Sequence, residues 1–121
     1  MIKITEYVNK SLPLYLETIE WDDPSLTIIG KEWSFYSLSS WRIVYENKLI
    51  CGCYDKEATD KLKLLESSYI ENIWIQSNFL TVDPVFIFAN EYILELFSTT
   101  YLEPWIFRLS SKDVYVASPS A

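Results

Sequence analysis

The chain contains no histidine, two cysteines, two glycines and one methionine among 121 residues. Without histidine there is no Ser/His or Cys/His nucleophile, no HExxH zinc motif and no side chain that titrates near neutrality in its ordinary state. Two glycines and five prolines exclude collagen-like and linker-like chains. No uncharged apolar run approaches the roughly 20 residues that span a bilayer as a helix. Basic residues are also scarce: ten Lys plus Arg stand against 17 Asp plus Glu, a formal charge of -7. That balance is opposite in sign to the basic stripe with which proteins displace counterions from nucleic-acid phosphates, so neither a nucleic acid nor an anionic membrane is an expected partner. An acidic surface instead steers basic proteins toward it and keeps a small domain soluble.

What is abundant is apolar and aromatic material. Half the residues are hydrophobic and 17% aromatic, enough to offset the ordering entropy of folding in one domain of this size. β-Branched and aromatic residues dominate short runs bounded by turn residues, which predicts strands over 14–21, 26–29, 33–38, 41–45, 49–53, 69–76, 85–89, 92–97, 105–109 and 114–117. Gly30-Lys31 and Asn47-Lys48 are the expected hairpin turns, with glycine supplying a positive φ. Lys56 to Glu66 is the best helix, with Asp55 as N-cap and Ala58, Leu62 and Leu65 on one face. Ile4 to Leu12 is a weaker helix that Pro13 ends. The fold class is α+β, mainly antiparallel β.

Two stretches carry matching residues in one order. Tyr15, Glu17 and Ile19 recur as Tyr69, Glu71 and Ile73, Asp23-Pro24 as Asp83-Pro84, Ile28 to Trp33 as Ile87 to Tyr92, and Trp41 as Trp105. The spacing changes only where loops would absorb it, as in a diverged duplication. The expectation is a single domain over 1–121, made of two pseudo-repeated β-meanders, 14–54 and 69–118, with the connecting helix 56–66 between them.

Cys51 and Cys53 fall two apart on a strand, a spacing too tight for an unstrained disulfide and too small a ligand set for zinc, so both read as buried reduced thiols. No metal or cofactor is expected. The acidic residues read as structural: Glu32 and Glu91 flank turns, Asp22, Asp23 and Asp83 form them, and Glu17 and Glu71 point outward to discourage edge pairing. The candidate binding residues are Trp41, Arg42, Trp105 and Arg108, because the chain's two arginines follow the same tryptophan in each half and lie on the opposite strand face. Paired arginines can hold a carboxylate or phosphate, or form salt bridges with glutamates. The excess of aromatics suggests a contact patch at Trp41 or Trp105, while core packing accounts for any single tryptophan.

The run Trp33-x-Phe35 followed by Ser40-Trp41-Arg42-Ile43, the Cys-Gly-Cys-Tyr-Asp strand end, Ala89-Asn90-Glu91-Tyr92, Glu103-Pro104-Trp105 and the closing Ala117-Ser118-Pro119 resemble a family of small bacterial proteins. The resemblance runs from Ile28 to the C-terminus and carries no catalytic motif. It implies a bacterial, single-domain, cytoplasmic protein; the N-terminus, lacking an apolar h-region, agrees. Two functions are carried forward. The first is a non-enzymatic protein-binding module, of the kind immunity-type inhibitors of toxins represent, acting on a protein partner or as a homodimer. The alternative is a small-ligand-binding or weakly catalytic domain with an aromatic pocket.

Overall fold

The computed structural model describes residues 8–99, 104–109 and 113–116. The ten strands are β1 (Leu14–Asp22), β2 (Ser25–Gly30), β3 (Trp33–Ser37), β4 (Ser40–Tyr45), β5 (Lys48–Gly52), β6 (Tyr69–Ile75), β7 (Pro84–Phe88), β8 (Ile93–Phe97), β9 (Trp105–Leu109) and β10 (Asp113–Val116). Helix α1 (Ala58–Glu66) lies between β5 and β6. All strands pair antiparallel in one sheet with the order β10-β9-β3-β2-β1-β6-β7-β8-β4-β5. The α+β, mainly antiparallel architecture is the one the residue pattern requires.

The order reads the same from either end once β1–β5 are exchanged for β6–β10. Each half holds a three-stranded meander, β1-β2-β3 or β6-β7-β8. The hairpin that follows does not stay with its own meander: β4-β5 pairs on β8, and β9-β10 pairs on β3. The registers correspond as well. Ile28 faces Phe35 as Phe86 faces Leu94, and Trp41 faces Leu96 as Trp105 faces Ser37. The halves meet where β1 pairs β6, and there Tyr15 faces Tyr69, its own counterpart. The registers also revise two sequence matches. Ile28 corresponds to Phe86 rather than Ile87, because the β7–β8 turn is one residue longer than the β2–β3 turn. Asp23-Pro24 is an exposed turn, whereas Pro84 is a buried strand residue opposite Ile75.

Inward-facing residues of the two halves of the sheet pack against each other. Phe35 of β3 meets Phe86 of β7 edge-on at 5.0 Å, and Trp21 of β1 meets Trp41 of β4 at 5.4 Å. Helix α1 packs its Ala58, Leu62 and Leu65 onto β1 and β5, as the i, i+4, i+7 spacing requires. Its N-cap is Glu57 rather than Asp55, which instead accepts the Gly52 amide at 2.8 Å and ties β5 to the helix. Of the weaker helix expected over Ile4 to Leu12, residues 4–7 lie outside the described residues, and in the rest Asn9–Ser11 form a 3-10 turn with Leu12 already extended.

Three further expectations are corrected. Neither glycine has a positive φ; the left-handed residues among those described are Glu46, Asn47 and Glu91, so the β4–β5 turn is centred on Glu46-Asn47, one residue early. Glu17 and Glu71 do not guard edges, since β1 and β6 are the central strands. They sit at matching β-bulges, where one strand carries an extra residue opposite its neighbour. Asp83 is buried and accepts the Ser98 amide at 2.6 Å and the Ser98 hydroxyl, which makes it a tether between β7 and the end of β8 rather than a turn former.

Candidate functional site

Trp41 and Trp105 do not border a surface patch. They are 2% and 4% exposed, because an inward position on β4 and β9 places each indole in the shared core. Trp105 donates its Nε1 to the Val82 carbonyl at 3.1 Å, while the Trp41 Nε1, buried beside Trp21, has no hydrogen-bond partner among the described residues. Arg42 and Arg108 lie on the face away from the tryptophans, as parity predicted. They are not equivalent, however: Arg42 corresponds to Ile106, and Arg108 to Val44. They sit on strands separated by six others in the sheet order and do not converge on one ligand.

An exposed tryptophan stands instead on the outward face of β6-β7-β8-β4-β5. Successive cross-strand pairs make two rows over these strands, Trp74-Val85-Glu95-Arg42-Gly52 and Asn72-Ile87-Ile93-Val44-Leu49. Trp74 and Leu49 stand 62% and 65% exposed at opposite edges of this face. Its two charges neutralise each other. Arg42 donates from Nε to Glu95 Oε1 at 2.7 Å, and its guanidinium lies 4.8 Å from the Phe97 ring. Exposed acidic residues border the face at Glu46, Glu71 and Glu91. Parity could have located Trp74: Ile73 and Trp74 alternate on a strand, so if Ile73 enters the core, Trp74 must leave it.

No family model, curated protein or solved structure matches the chain.

A second feature is a cavity of about 350 Å³ beside the β2–β3 turn, lined by residues that include Tyr15, Lys31, Glu32, Trp33 and Leu109. Trp33 forms its inner wall, with Nε1 donated to the Tyr15 carbonyl at 3.0 Å. The thiols of Cys51 and Cys53 are free and buried. Burial, reinforced by Asp55, pushes the Cys51 thiol up to about 11, so it is neither an activated nucleophile nor a ready metal ligand near neutrality. Among the described residues no cluster of three or more Cys, Asp or Glu is placed to hold a metal ion, and no helix is long and apolar enough to cross a membrane.

Proposed function

We propose that the chain is a non-enzymatic protein-binding module that engages its partner through the outward face of β6-β7-β8-β4-β5. The observation that carries this reading is a five-stranded face with one aliphatic row, an exposed Trp74 and a self-neutralised Arg42–Glu95 pair, on a chain of charge -7. Interfaces are enriched in aromatic residues and arginine and poor in unpaired charge at their centre; here the central charges are paired with each other and Trp74 stands at the edge of the face. The partner that fits has an apolar patch ringed by basic residues, and an immunity-type inhibitor covering a basic toxin would use a surface of this kind. Matching registers in the two halves support reading the chain as a duplicated unit with exchanged hairpins. The resemblance to small bacterial proteins supports a bacterial, cytoplasmic setting.

The test compares the chain with Trp74→Asp and Leu49→Asp variants in copurification from its source lysate, with ultracentrifugation alongside. A protein retained by the parent and lost by both variants is the expected result; a dimer dissociated by both variants would make the partner a second copy. Identical retention and sedimentation for parent and variants would overturn the assignment of this face.

A further inference from the structure

One place in the molecule is filled in the second half and open in the first. At the β7–β8 turn, Phe88 points into the core, Tyr92 stacks on Tyr45 with centroids 4.6 Å apart, and Asn90 is fixed by Ser68 and the Leu64 carbonyl. The strand registers give the counterparts in the first half: Gly30 for Phe88, Trp33 for Tyr92 and Leu109 for Tyr45. Gly30 has no side chain to occupy the inward position, and the Trp33 indole has taken it. A Cβ added to Gly30 would lie 1.9 Å from Trp33 Nε1, and the indole is buried and stacked on Phe107. With Trp33 drawn over Gly30 and the buried Leu109 in place of Tyr45 beside it, the cavity of about 350 Å³ is left.

We infer that this cavity is a binding site for a small aromatic molecule, whose ring takes the place that Tyr45 fills in the other half. The volume is at the lower end of those that hold organic ligands, sufficient for one or two rings and too small for a dinucleotide. Pro13, Tyr15, Trp33 and Leu109 supply apolar and aromatic walls. Lys31 and Glu32 place opposite charges side by side at the turn, which suits a neutral or zwitterionic ligand over one with a large net charge. The site is separate from the face assigned to the protein partner, and neither reading depends on the other.

The experiment titrates the full chain with p-cresol and, separately, with free L-tyrosine, followed by two-dimensional amide and indole NMR. The expected result is a saturable shift of the Trp33 indole N–H and the Leu109 amide, with the signals of Trp74 and Trp105 unmoved. Leu109→Tyr, which supplies the ring found in the other half, should keep the melting temperature and weaken binding at least about tenfold; Leu109→Phe is read in the same way if the tyrosine variant does not fold. Binding of p-cresol but not tyrosine would identify the ligand as a neutral aromatic molecule. Tighter binding of tyrosine would identify a free zwitterion held by Lys31 and Glu32. No saturable shift with either compound, or undiminished binding in the filled variant, would overturn the proposal.

Discussion

The two halves share a frame and differ in its filling. The bulges at Glu17 and Glu71, the paired meanders and the exported hairpins correspond strand by strand. The side chains between them do not. The second half places Phe88 inward and stacks the half-buried Tyr92 on Tyr45 beside it, whereas the first half uses a glycine and folds an indole over it. Trp105 has a carbonyl for its N–H, but Trp41 has none among the described residues. Hydrogen-bonded register therefore tolerates very different packing, including a loss of side-chain volume that leaves a cavity in one half.

The sharpest way to break the comparison is to remove the two core indoles. Trp41→Ala and Trp105→Ala should each cost about 3–5 kcal/mol in denaturant unfolding, since both empty a large buried site. Phenylalanine separates them: Trp105→Phe strands the Val82 carbonyl, while Trp41→Phe removes a donor that was already unpartnered, so the first should cost about 1 kcal/mol more. Equal losses would show that the Val82 bond contributes nothing net.

Gly30→Ala tests the inward turn of Trp33. The new methyl must displace the indole, at a cost of about 1–3 kcal/mol and with a red shift of tryptophan emission. A neutral substitution would mean that Trp33 moves without loss.

A smaller effect comes with alkali. The Cys51 thiol has a folded pKa of about 11 against its ordinary 9.0. Below pH 9 both states keep the proton. Between 9 and 11 the unfolded chain releases it first, so unfolding is favoured as pH rises. Stability should therefore fall over that window, and fall less in Cys51→Ala. Its counterpart in the second half is Tyr115, which is not a thiol, so hydrogen exchange should report the Cys51-dependent loss first in the β4–β5 hairpin.

The smallest change is expected from Arg42→Ala, whose partly exposed pair with Glu95 should contribute under about 1 kcal/mol to unfolding. A larger loss would show that the Phe97 contact carries the interaction.

Strand positions were legible because each run of β-branched and aromatic residues ends at a turn-forming residue, and all ten lie within a residue of their expected limits. The helix face was equally clear from Ala58, Leu62 and Leu65. The exchange of hairpins was not legible, since β4 could extend either meander with the same alternation, and local pattern says nothing about which edge it joins. The burial of Trp41 and Trp105 was not legible for a related reason. Trp41 and Trp74 are equally aromatic, and parity separates them only once a strand neighbour such as Ile73 is known to enter the core. The cavity depends on Gly30, whose use here is the space it leaves for Trp33 rather than a backbone angle.

The exchanged hairpins also set a timetable for synthesis. When β1 to β5 have left the ribosome, β3 lacks its neighbour β9, and the β4-β5 hairpin has no β8 on which to pair. Unsatisfied strand edges of this kind pair readily with other chains. Until the last third of the polypeptide arrives, a neighbouring nascent copy can offer the same edges, so polysome density and elongation rate become determinants of how much correctly closed monomer the cell obtains.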